Sequence, residues 1–121
     1  MSSQSEKNSE KPGNLENIGR DAALIQLLKS CAAFLSPIPA VVKNQRIVEQ
    51  FQLFTKDIQS IKWFKLWVTQ QIKPNPNKLD EVLESVLNEY GLLADDLNSA
   101  QKAKMLKYFA AFDALVDPNY K

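Results

Sequence analysis

Apolar residues recur at three- and four-residue spacings along most of this chain, and sustained alternation of period two is absent, so the pattern predicts an all-α protein. The first stripe is Leu24, Leu27, Leu28, Cys31, Phe34 and Leu35, on a helix predicted over about residues 18–35 with Asn17 as its N-cap. Ser36-Pro37-Ile38-Pro39 ends that helix, because each proline pushes the residue before it out of the α region, and Pro39 suits the first turn of a following helix. From residue 40 to residue 72 no Gly or Pro intervenes, and Val42, Ile47, Phe51, Phe54, Ile58, Ile61, Phe64, Val68 and Ile72 make a second, much longer stripe. A helix of that length exceeds the usual globular range, which predicts a bend or break near residues 55–60.

Lys73-Pro74-Asn75-Pro76 reads as a linker. Asn77, with Asp80 three residues on, resembles a capping box with Asp in place of the preferred Glu. Leu79, Val82, Leu83, Val86, Leu87 and Tyr90 form the next stripe, and Gly91 stands where a helix C′ residue belongs. A last helix is predicted to begin at Asn98 or Ser99, to use Ala103, Leu106, Phe109, Ala110 and Ala114, and to stop at Asp117-Pro118. Short connections after Leu35, Ile72 and Gly91 predict antiparallel neighbours, and hence one bundle of four to five helices over residues 17–117. Residues 1–16 are expected to be a disordered tail, since through residue 14 no apolar side chain follows Met1 and burial cannot offset the entropy of ordering.

At 121 residues and 45% apolar, the chain fits a single globular domain. Its net charge of +1 conceals an uneven layout: −1 over residues 1–18, +5 over 19–73 and −3 over 74–121. The basic stretch holds the window Ile61-Lys62-Trp63-Phe64-Lys65-Leu66-Trp67-Val68, where an anionic partner would meet the chain. On a helical wheel, Ile61, Trp63, Phe64, Trp67, Val68 and Ile72, joined upstream by Leu53, Phe54 and Ile58, span roughly 220°, against the roughly 100° that one packing partner covers. Lys62 lies opposite this arc, while Lys65 falls inside it and would have to snorkel. Trp63 and Trp67 lie on the arc's edge, Ile61 and Val68 near its centre.

Ile61, Lys62, Trp63, Phe64, Lys65 and Trp67 are therefore the candidate contact residues. Several coverings fit the arc. The helix can be a central bundle element with both tryptophans partly buried. It can meet another protein, with the tryptophans as anchors, or a headgroup region, with the lysines toward anionic lipid. Self-association is open on the same grounds. A nucleic-acid platform of Trp63 and Trp67 with Lys56, Lys62 and Lys65 is the weakest fit, because stacking residues usually sit on exposed sheets or loops.

Chemistry is sparse. There is no histidine, and glycines stand only at 13, 19 and 91, so triads, Cys-His dyads and phosphate-cradling loops cannot be written. No catalytic, cofactor-binding or metal-binding residue is expected. Asp80 and Glu81 are explained as first-turn charges, and Asp95-Asp96-Leu97-Asn98 lacks the glycine and terminal Glu of a calcium loop. Carboxylate-only catalysis would need Glu84, Asp95 and Asp96 to converge in one deep pocket. The single Cys31 reads as packing in a reducing compartment. No secretory h-region and no apolar run long enough to span a bilayer is present, so a cytosolic protein able to lie on a membrane is expected.

Three segments in order carry a resemblance. Gly19-Arg20-Asp21 opens the Leu-rich helix that runs through Leu27-Leu28 to Phe34-Leu35; a basic, apolar stretch follows over 54–65; and Leu92-Leu93-Ala94-Asp95-Asp96-Leu97 comes later. Over about residues 19–106 this order resembles the peroxin 11 family of peroxisomal membrane-elongation proteins. The resemblance implies a non-enzymatic helical protein without a cofactor, peripheral on the cytosolic face of the peroxisomal membrane, that promotes curvature through amphipathic helices. Gly19, Arg20, Asp21, Asp95 and Asp96 are its motif residues here. The basic stretch departs from the family in carrying Lys56, Lys62 and Lys65 where arginine is usual, with an acidic Asp57 among them. Family members are also longer and carry membrane-inserted segments, so the implied relative is a shortened, more soluble one. The competing expectation is a soluble helical adaptor or assembly subunit that binds another protein through its apolar helix face.

Overall fold

The computed structural model describes residues 12–117, with side chains from residue 19 onward. Six α-helices account for most of them: α1 Pro12–Leu35, α2 Pro39–Lys43, α3 Arg46–Phe54, α4 Ile61–Gln71, α5 Leu79–Glu89 and α6 Ser99–Leu115, with a single 3-10 turn at Ala94–Asp96 before α6. The fold is an all-α bundle, with no strand among the described residues. Most of the expected polar tail lies outside the described residues; its last part, from Pro12, already belongs to α1, which starts earlier than the predicted residue 18.

The long central segment divides twice rather than once, which raises the helix number from the expected four to five to six. The break at 55–60 is the predicted one. Asp57 Oδ1 accepts the N–H groups of Gln59 and Ser60 at 3.0 and 2.9 Å and the Ser60 hydroxyl at 3.0 Å. Such side-chain-to-backbone bonds offer the chain an alternative to continued helix. The bonds from Ser60 hold the Asp57 carboxyl below its usual range. A lowered native pKa gives stability that is present above the ordinary carboxylate range and is lost as pH falls through the native value.

At the second break, at Asn44 and Gln45, a local bond and tertiary ones act together: Asn44 Oδ1 accepts the Arg46 N–H at 3.3 Å. Asn44 Nδ2 donates to the Tyr90 carbonyl at 2.8 Å, Arg46 reaches the Glu89 carbonyl at 3.4 Å, and the Arg46 guanidinium lies 6.0 Å from the Tyr90 ring centre. The orphan carbonyls at the end of α5 are thus met by side chains from the α2–α3 junction.

That helix end also carries a backbone cap. Gly91 has φ +80°, its N–H bonds to Asn88 O at 3.0 Å, and the Leu92 N–H bonds to Leu87 O at 2.8 Å, which is the paired pattern of a Schellman motif. A Cβ at Gly91 would lie 2.9 Å from Asn44 Nδ2. Gly91→Ala is therefore expected to cost about 1–2 kcal/mol from left-handed strain alone. Displacing the Asn44–Tyr90 bond adds to that cost. Urea unfolding measures it, and a loss below a few tenths of a kcal/mol would contradict this geometry. At the other end of α5 the Asn77–Asp80 box does not form: Lys78 is the N-cap residue and no side chain caps the helix, although Asp80 and Glu81 do occupy the first turn.

The start of α6 is as predicted, with Asn98 and Gln101 exchanging side-chain and backbone bonds at 2.8 Å in each direction. Its buried face is as predicted only at Phe109. Met105, Phe109 and Phe112 face the core, whereas Ala103, Ala110 and Ala114 are exposed and Leu106 is half-buried. Alanine is a good helix former wherever it stands, so it marks the helix without marking its inner face; the larger side chains set the rotation.

α1 packs against α3, α4 and α6, and α6 in turn packs against α4 and α5. Leu24, Leu28, Cys31 and Leu35 of the predicted α1 stripe are buried, with Leu27 and Phe34 at its margin. Two members of the central stripe face solvent instead: Val42, whose place is taken by Val41, and Ile58, which falls in the break. The middle of the core is aromatic, with Phe51, Phe64, Phe109 and Phe112 fully buried.

Candidate contact surface

Folding splits the apolar arc of the aromatic-basic window. Ile61, Phe64, Trp67 and Val68 turn inward from α4. The Phe64 ring centre lies 4.9 Å from that of Phe112, 5.3 Å from Phe54 and 5.5 Å from Trp67. Trp67 meets Phe51 edge-on at 5.8 Å and Phe109 edge-on at 6.1 Å. Ile61, Phe64 and Trp67 are therefore core residues of the folded domain and do not reach its surface. Trp67, expected at the arc's edge, is only 8% exposed, because side chains from α3 and α6 close over it.

The Trp67 Nε1–H has no partner in hydrogen-bond geometry. The nearby Tyr90 hydroxyl feels this N–H, which favours its ionised form, but burial outweighs that and holds the phenol above its usual value. The two groups are close without a well-formed bond, so the indole packs mainly as an apolar ring.

Lys65 falls on the apolar side, as the wheel placed it, and its ammonium ends 2.6 Å from Asp21 Oδ1, with both side chains about one-fifth exposed. This ion pair joins the Gly19-Arg20-Asp21 segment to the window; Gly19 and Arg20 themselves are exposed. Of the six candidate contact residues, Lys62 and Trp63 remain outside. Trp63 is 60% exposed, and with it stand Leu53 at 58%, in the last turn of α3, and Ile58 at 64%, in the connection. Lys56 and Lys62 flank them. The surface left to the arc is thus the α3–α4 corner, where apolar Leu53, Ile58 and Trp63 stand with the exposed charges Lys56, Asp57 and Lys62.

Sequence reasoning overlooked a second feature. Between α5 and α6 lies an open groove of about 200 Å³, floored by Leu83, Leu87 and Leu106 and rimmed by Asp80, Glu81 and Glu84. Its signal was present: carboxylates at 80, 81 and 84 and leucines at 83 and 87 share neighbouring faces of one helix. Asp95 and Asp96 do not join this groove. Asp96 Oδ2 accepts the Leu93 N–H at 2.8 Å and closes the 3-10 turn, and the fully exposed Asp95 lies 3.9 Å from the Lys102 ammonium. Glu84, Asp95 and Asp96 therefore do not converge. No group of three metal-ligating side chains occurs among the described residues, and no helix there is long and apolar enough to cross a membrane.

Cys31 is buried, with its Sγ 3.7 Å from Met105 Sδ, and burial pushes its thiol far above the usual range. The thiolate is the reactive form. Native protein at pH 8 is accordingly expected to react with a disulfide reagent at least about a hundredfold more slowly than a free thiol. The same protein in denaturant should react at once, and rapid reaction of the native form would contradict the burial. Comparison with family models, with curated proteins and with solved structures finds no match to this chain.

Proposed function

We propose that this chain is a non-enzymatic helical assembly subunit or adaptor that works by contact with another protein, with the α3–α4 corner as its contact surface. The observation that carries this reading is the split arc: Ile61, Phe64 and Trp67 are consumed by the core, while Leu53, Ile58 and Trp63 stay exposed on one corner beside Lys56 and Lys62. Three half-exposed side chains of this size present on the order of a few hundred Å², the size of patch that on a monomer is often functional. Tryptophan is also the residue type that most often dominates a protein interface.

Membrane contact of the peroxisomal elongation kind is the second reading, and it draws on the same corner. Trp63 with Lys56 and Lys62 has the chemistry of a headgroup anchor, each lysine contributing about 1 kcal/mol near anionic lipid. It stands second because the full wedge would require Ile61, Phe64 and Trp67 to leave the core, at about 1.5–3 kcal/mol for each side chain.

The test places a photoreactive phenylalanine analogue at Trp63 and, as a control, at the exposed Gln26 of α1. The expected result is protein adducts from position 63, few from position 26, and loss of the former on Lys56→Glu. Equal yields from both positions would remove the reading. Flotation of the intact protein with anionic liposomes at low salt, abolished by Trp63→Ala, would transfer the function to the membrane.

A further inference from the structure

We infer that the partner at this corner is a second copy of this chain: Trp63 of one copy seats in the α5–α6 groove of another. The inference rests on the assembly reading and adds the identity of the partner. Size and charge on the two surfaces carry it. The groove holds about 200 Å³, room for one large side chain, over the leucine floor of α5 and α6. Its rim carries Asp80, Glu81 and Glu84, with Lys102 as the cation in the lining. The corner offers an exposed indole and, in the same stretch of chain, two exposed lysines, Lys56 and Lys62, against one exposed carboxylate, Asp57.

The two surfaces lie in parts of the chain of opposite net charge, +5 over residues 19–73 and −3 over 74–121. Opposite potentials steer encounter and fix register. An anionic membrane or a nucleic acid could meet the corner but would be repelled by the groove. A second copy satisfies both surfaces at once.

Corner and groove are different patches, so two copies that exchange corners close as a two-fold pair, whereas a one-way contact is heterologous and grows as a ring or chain of copies. The area is well below the roughly 1,200 Å² of a stable specific interface, so the association is expected to be weak, with a Kd on the order of 100 μM, and sensitive to salt.

Sedimentation velocity of the full chain tests this from about 10 μM to about 1 mM, at about 0.02 M and about 0.3 M salt. The expected result is reversible association at low salt that weakens at high salt. Trp63→Ala and Glu84→Lys should each weaken it about tenfold or more while helix content and thermal stability stay unchanged. The Lys56→Glu/Glu84→Lys double variant should recover most of what Glu84→Lys alone loses, which a structural effect would not do. A monomer at every concentration, or association indifferent to Trp63→Ala, overturns the inference. If the protein is monomeric while position 63 still gives site-dependent adducts to another protein, self-association falls and the assembly reading stands. If neither is seen, both fall.

Discussion

Phe64→Ala is expected to remove about 3–5 kcal/mol of stability. Phe64 is fully buried, and its ring touches four others: Phe112 edge-on at 4.9 Å, Phe54 at 5.3 Å, Trp67 stacked at 5.5 Å and Phe51 edge-on at 6.3 Å. Those rings come from α3, α4 and α6, so the cavity left by truncation lies between three helices and cannot be closed by moving one. Transfer and cavity contributions therefore add. Small domains hold about 5–15 kcal/mol in total, so the loss is a large fraction of the whole. The thermal midpoint should fall by on the order of 20 °C. Urea unfolding should show a lower midpoint at an unchanged slope. A loss under about 1 kcal/mol would mean that Phe64 is not at the packed centre.

The second large effect separates the two tryptophans. Trp67→Ala is expected to cost about 3–5 kcal/mol, whereas Trp63→Ala should stay within about 0.5 kcal/mol, as surface changes do. Trp67 packs on Phe51, Phe54, Phe64 and Phe109, while Trp63 projects from the first turn of α4 into solvent. Trp67→Phe should cost less than Trp67→Ala, because it keeps much of the ring and removes an N–H that has no hydrogen-bond partner. Fluorescence checks the same assignment without unfolding: Trp63→Phe should leave the blue-shifted emission of a buried indole, and Trp67→Phe the red-shifted emission of an exposed one. Equal stability losses at both sites, or matching spectra, would sink the division of the arc on which the proposed contact surface depends.

Most local signals were legible and held: the stripe from Leu24 to Leu35, the break at 55–60, the C′ role of Gly91 and the start of α6 each depend on residues within a few positions of one another. Two local caps failed, since the Asn77–Asp80 box does not form and Asn17 lies inside α1. The prediction for α6 failed at its inner face, because two of its three fully buried positions, Met105 and Phe112, were passed over for alanines. The break at Asn44 and Gln45 carries no proline or glycine; besides a local bond from the Arg46 N–H to Asn44 Oδ1, it is held by a bond from Asn44 to the carbonyl of Tyr90, the cap residue of a helix much later in the chain.

The candidate site divides in the same way. The sequence by itself determined that this is an all-α chain and that one window carries more apolar arc than a single neighbour can cover, since period and arc width are properties of one helix. It could not determine how many neighbours there are. Only the tertiary structure decided that α3 and α6 close over Trp67 and leave Trp63 bare, and that Asp21 of α1 receives Lys65. The reason is that burial depends on which other helices arrive at a face, and those contacts are made by residues far apart in the chain, whose meeting no local spacing records.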